Sequence, residues 1–219
     1  MNFRLFELAE MLALITSIFC IKWLWKTPYI FFIPYLLMIV VAERMGSYLG
    51  KAGRTDLNIL MYNCTTIIEF TFFFYLFYVN LINKRLKNIV VCLSLIYLAF
   101  SAFNLLYIQK VEIFNSYSMV LGTIFAMLFV FMYFYDLFEK NEPLQLIRNP
   151  MFWISIGIFL FYLGDFTFNL MQPYLQENNL KRESRLFRLI NNNLIVFEYV
   201  CFSIALIICT RNPSTSKQP

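Results

Sequence analysis

The chain has 219 residues, 60% hydrophobic and 14% charged, with a formal net charge of +5 and a mean hydropathy of +0.65. A soluble domain is about 25% charged and about 45–50% apolar, so this composition excludes that class, and it is too apolar for disorder. The sequence contains no His, which removes imidazole bases, His-held zinc or haem and Ser-His-Asp chemistry, and its basic residues are spread over short loops rather than gathered for nucleic acid.

Hydropathy divides the chain into seven stretches of roughly 20 residues, each enough for a hydrocarbon core about 30 Å thick. The first, Leu5–Trp25, carries Glu7 and Glu10 in its opening turns and no A-x-A-like cleavage site, so it reads as a retained helix. Trp23 and Trp25 beside Lys22 and Lys26 form an interfacial anchor at its end. The second, Pro28–Leu49, is the least continuous, because its apolar run stops at Ala42 before Glu43 and Arg44. Its Gly46-x-x-x-Gly50 spacing fits either a close helix approach or a soft helix end leading to Gly53. The others are Leu57–Leu81, Asn88–Ile108, Ser116–Phe138, Phe152–Leu175 and Phe187–Cys209. The longest connections, Glu139 to Met151 and Gln176 to Leu186, leave no room for a soluble domain. The expectation is an all-α, polytopic seven-transmembrane-helix bundle over 1–210, with Arg211–Pro219 as a short disordered polar tail. All five cysteines fall inside apolar spans and form no C-x-x-C, as small packing residues do.

Seven spans place the termini on opposite sides, and the 18 basic residues divide nine and nine between them. The acids are more numerous on the N-terminal side, and the compact Lys84-Arg85-x-Lys87 loop lies on the C-terminal side. Both favour N-out, C-in. Abundant Phe, Ile, Asn and Tyr fit AT-rich coding, and with it a bacterial inner membrane.

Three acids, Glu69, Asp165 and Glu198, lie near the centres of the third, sixth and seventh spans. An acid at that depth costs on the order of 3 kcal/mol on insertion scales, so such residues face the bundle interior and are candidates for function. Their neighbours share their helix faces: Asn58, Tyr62 and Thr65 with Glu69; Asn169 and Gln172 with Asp165; Asn191 with Glu198; and Tyr97, Ser101 and Asn104 on the fourth span. Most of these companions lie toward the N-terminal side, which points to an acidic cup open there. Arg44, beside Glu43, is the basic residue placed to serve it. Three acids with one Arg leave negative charge, so the site either holds protons or awaits a cation. The abundant aromatic side chains could cage an ammonium group. The expected ligand is an amphiphilic membrane lipid or small molecule with a cationic head. No cofactor or metal is expected.

Two resemblances add to this. The run EIFNSYS (Glu112 to Ser118) followed by NPMFWISIGIFLFYLGDF (Asn149 to Phe166) resembles small bacterial seven-helix membrane proteins with no assigned function. GIFLFYLGDFTFNL (Gly157 to Leu170) is similar to the late G-x-x-x-F-x-x-[SG]-D segment of lysoplasmalogenase-like membrane hydrolases. Those enzymes cleave the vinyl-ether bond of lysoplasmalogens with intramembrane aspartates. The resemblance implies that Asp165 is the late aspartate and that Lys26-x-Pro28 approximates a Lys-Pro opening the second helix. The chain departs from that family at Glu69, where a Gly-Asp is expected, in its seven rather than eight spans, and in lacking a His after the first motif.

Three functions follow from one cup. A hydrolase would use Asp165 and Glu69 as acid and base, one protonating the substrate while the other activates water. Glu198, Asn169, Tyr62, Asn104, Arg44 and Glu43 would then hold the substrate. A receptor would bind its ligand there and act through a separate membrane or cytoplasmic signalling partner. A carrier would couple transport to protons or cations at the acids, although the sequence lacks an internal repeat and a pair of interrupted helices. Retinal chemistry is closed, because the last span has no Lys between Arg188 and Arg211. Whether the chain is an enzyme, and its oligomeric state, stay open at this point.

Overall fold

The computed structural model describes residues 4–139, 143–177 and 181–211, with the side chains of 143–145, 169, 170, 172–177 and 181 outside the described set. The expected polar tail beyond Arg211 also lies outside the described residues. Every described element is helical: α1 (Leu5–Phe19), α2 (Ile21–Leu24), α3 (Phe32–Lys51), α4 (Thr55–Asn80), α5 (Lys84–Phe103), α6 (Ser116–Glu139), α7 (Pro150–Glu177) and α8 (Lys181–Arg211). Short 3-10 turns at Pro28–Phe31 and Pro143–Arg148 lead into α3 and α7, and a π-turn at Asn104–Ile108 closes α5. Six of these helices, α3 through α8, are long and apolar enough to cross a membrane. The fold is therefore all-α and multi-pass.

The first expected span is broken at Cys20 into α1 and α2. Thr16 and Ser17 return their hydroxyls to the carbonyls of Leu12 and Leu14, a back-bonding that bends helices one turn before the break. α8 begins at Lys181, earlier than the apolar run alone indicates, so the basic stretch through Arg188 is already helical. α3 ends in a glycine cap. Gly53 has φ +70, and Arg54 N–H reaches back to Leu49 C=O at 3.0 Å.

The helices form two compact units. One contains α1, α2, α7 and α8, with α8 packed on both α1 and α7. Along α7, Gly157 and Gly164 let α8 approach: a Cβ on Gly157 would lie 3.1 Å from Cys201 Cβ and 3.4 Å from Glu198 Cα, and one on Gly164 would strike Leu194. Close packing over small residues is how apolar helices associate where lipid is equally apolar. The exposed face of α1 carries Leu5, Leu8, Leu12 and Ile15, while its buried face carries Phe6, Ala9, Glu10, Ala13 and Ser17. This is the inverse of a water-soluble amphipathic helix.

The other unit contains α3, α4, α5 and α6, with α4 at its centre against the other three. Its core is aromatic. Phe74 meets Phe129 at 4.9 Å and Tyr97 at 5.3 Å, and Tyr35 of α3 stacks on Phe72 at 4.5 Å. Gly122 of α6 lies against the Phe70 ring, where a Cβ would not fit. The turn between α4 and α5 is fastened by the buried Asp136 of α6, whose Oδ2 accepts the N–H groups of Ile82 at 2.6 Å and Asn83 at 3.4 Å.

Candidate functional site

In the unit of α1, α7 and α8, three carboxyl side chains are almost fully withdrawn from the surface: Glu10 at 4%, Asp165 at 7% and Glu198 at 3% exposure. Helix register fixes their depths. α7 and α8 run antiparallel, because Gly157 faces Cys201 while Gly164 faces Leu194. Asp165 Oδ1 accepts a hydrogen bond from Asn191 Nδ2 at 3.3 Å. Asn191 precedes Glu198 by seven residues, about 10 Å of helix rise. Asp165 and Glu198 therefore occupy two levels, Asp165 about two turns nearer the start of α8.

Cys20, just past the end of α1, is within electrostatic reach of Cys209, two residues from the end of α8. Since α1 also packs along α8, the two must be parallel; an antiparallel α1 would extend past the end of α8. Glu10 lies ten residues before Cys20 and Glu198 eleven before Cys209, so both fall in the same stretch of this helix pair. Both Glu residues are buried, and so is Tyr199. Leu5–Phe19, Pro150–Glu177 and residues 189–210 contain no Lys or Arg. Among the described residues, no three acidic or thiol side chains gather closely enough to hold a metal ion.

Sequence reasoning missed Glu10 because it was counted with the opening turns of its span. Its signal was present in the Leu5, Leu8, Leu12, Ile15 stripe, which leaves Glu10, Ala13 and Ser17 on the opposite side. Asn169, expected one turn from Asp165, has its side chain outside the described residues.

Glu69 belongs to the other unit. It is half-buried on α4, within electrostatic reach of Tyr97, whose ring is fully buried against Phe70 and Phe74. Tyr62, two turns earlier, lies with its hydroxyl over Gly46 of α3. Thr65 gives its hydroxyl to Met61 C=O within its own helix at 2.9 Å. Glu43 and Arg44 are half-buried near the end of α3. The antiparallel pairings of Gly46 with Tyr62 and Tyr35 with Phe72 place Arg44 level with residues 63–64. That is about 8 Å along the axis from Glu69.

Asn104 is fully buried, and its amide is engaged by its neighbours. Its Nδ2 donates to Gln109 Oε1 at 2.8 Å and contacts Asn115 Oδ1 and Ser118 Oγ. Asn63 of α4 completes this cluster, donating to Ile113 C=O at 3.0 Å and accepting Asn115 N–H at 2.8 Å. The π-turn backbone joins it, with Gln109 N–H on Asn104 C=O at 2.9 Å and Lys110 in the left-handed region at φ 60. The group ties the connection from α5 to α6 onto α4.

Compared with known proteins, the chain matches no protein-family model, no curated protein and no solved structure.

Proposed function

We propose that the chain is a seven-span membrane protein that binds the cationic head of an amphiphilic lipid or small molecule at the buried carboxyls of α1, α7 and α8. In this reading α1 and α2 together supply the seventh span, since residues 5–25 cover about 31 Å at helical rise. The protein lies in a bacterial inner membrane with its N-terminus outside, and the Lys84-Arg85-x-Lys87 loop faces the cytoplasm.

The observation that carries the reading is the burial of three carboxyl side chains, Glu10, Asp165 and Glu198, in one unit of packed helices. Burial makes an ionised carboxyl costly, so carboxyls held this far from water favour a proton or a cation. Asp165, held by Asn191, supplies a second acidic level on the N-terminal side, from which a ligand would enter. Tyr162, three residues before Asp165, and Tyr199, next to Glu198, are buried aromatic side chains of the kind that bind an ammonium group.

The test is calorimetric titration of the purified protein with a long-chain alkyltrimethylammonium and with an uncharged alkyl analogue of the same length. Binding of the cation alone, weakened at least tenfold by Glu198→Gln, is expected. Equal binding of both compounds would remove the reading.

A second reading, hydrolysis of a lysolipid, draws on Asp165, a buried aspartate whose carboxylate is oriented by the Asn191 amide. An oriented carboxyl is what acid–base cleavage of a head-group bond requires. Turnover of vinyl-ether or ester lysolipids by wild type, abolished in a correctly inserted Asp165→Asn variant, is its expected result. Full activity in that variant would end it.

A further inference from the structure

A second site lies in the same unit, at the end where α7 begins and α8 finishes. Ile147, Arg148, Trp153, Ile204, Ile208 and Arg211 line a recess of about 440 Å³. Its chemistry is divided. Arg148 and Arg211 are exposed, whereas Trp153, Ile204 and Ile208 are half-buried. Among the described residues that line it, none is a carboxylate.

The wall is fixed by local bonds. Trp153 Nε1 donates to Ile147 C=O at 2.9 Å, which holds the indole against the turn that carries Arg148. Asn149 Oδ1 accepts Met151 N–H at 2.9 Å and starts α7 directly after that turn. Arg211 ends α8, and Ile204 precedes it by seven residues. The recess thus runs about 10 Å along the helix axis, from an apolar floor to a cationic rim. That distance spans the transition from the acyl chains to the head groups of a bilayer, the depth at which Trp side chains concentrate.

We infer that this recess binds a phospholipid of net negative charge by its phosphate. Arginine suits that role because its planar fork donates two hydrogen bonds to one phosphate. The isoleucines and the Trp153 ring then cover the glycerol and the first carbons of an acyl chain. A cationic head group, the expected ligand of the buried carboxyls, is repelled here. The two sites are chemically opposite, and this one does not depend on the reading of the other.

The test uses the full chain in neutral detergent, with native mass spectrometry as the readout. The probes are phosphatidylglycerol, phosphatidylcholine of the same acyl composition, and inorganic phosphate. A single phosphatidylglycerol adduct, retained at least tenfold more than phosphatidylcholine, is expected, with no phosphate adduct. Arg148→Gln with Arg211→Gln should reduce that preference to parity while leaving the lipid-free melting temperature unchanged, because both side chains are exposed. Arg211→Lys should retain part of it, keeping the charge but losing the fork. Equal retention of the two lipids, or a preference that survives in the double variant, overturns the assignment. A phosphate adduct as persistent as the lipid's also overturns it, by making the recess a free-anion site.

Discussion

Glu10 of α1 and Glu198 of α8 are each almost fully buried on two helices that pack along one another. If the pair shares one proton or one cation, the residues are not independent. Glu10→Gln and Glu198→Gln should each weaken alkyltrimethylammonium binding by about tenfold, and the double variant little further, because coupled residues are not additive. Additive losses in the double-variant cycle would show two separate contacts instead.

Asp136 performs a structural task that can be separated from any ligand. Its carboxylate accepts two backbone N–H groups of the turn between α4 and α5. Asp136→Ala leaves those donors without an acceptor in a buried place, at a cost of about 1–3 kcal/mol. Asp136→Asn can still accept one of them through its carbonyl oxygen. Melting in detergent should therefore fall clearly for Ala and less for Asn, with ligand binding unchanged in the folded fraction. Equal losses for both would show that the charge, rather than the acceptor, matters.

These two acids also mark what the sequence makes legible. Hydropathy locates α3 to α8, with ends shifted by up to about five residues and the start of α8 by six, because an apolar run of membrane length has few other uses. The central positions of Glu69, Asp165 and Glu198 could be read from the distance to span ends. Glu10 could not be read that way, since it lies six residues into α1. Its depth is set by α1 packing along α8, a pairing between the two ends of the chain that helix order alone does not specify. Asp136, near the end of its expected span, looks like an interfacial acid until the fold brings Ile82 to it from 54 positions away. Asn104 was visible as a face-sharing partner of Tyr97 and Ser101. The connection that folds back onto its amide has no periodic pattern to announce it.

The α7–α8 contact makes a graded prediction. A Cβ at Gly157 would lie 3.1 Å from Cys201 Cβ and 3.4 Å from the Glu198 backbone, tight but within a small adjustment. Gly157→Ala should change stability by less than about 1 kcal/mol, because the improved helix propensity of Ala offsets the crowding. Gly157→Leu has nowhere to place its branch without separating the helices, and overpacking of this kind costs about 1–3 kcal/mol. It should also weaken ligand binding, by moving Glu198. A fully stable Leu variant with wild-type binding would show that α7 and α8 are not held at this distance.

The polar cluster around Asn63 predicts a loss of stability with a specific signature. Asn63 both donates to Ile113 C=O and accepts Asn115 N–H, so its amide fills two backbone valences of the α5–α6 connection at once. Asn63→Ala removes both and exposes the buried Asn115 N–H to an apolar surrounding, which costs about 1–3 kcal/mol. Asn63→Asp keeps the acceptor for Asn115 N–H but sets an anion against the Ile113 carbonyl, and should be no better than Ala. Asn63→Ser, with a shorter side chain, cannot span both groups. The effect should be local as well as global: hydrogen exchange at Asn115 N–H should rise in Asn63→Ala well before the helices of the unit lose protection. Unchanged exchange at Asn115 would mean that the connection is held by Asn104 and Gln109 alone.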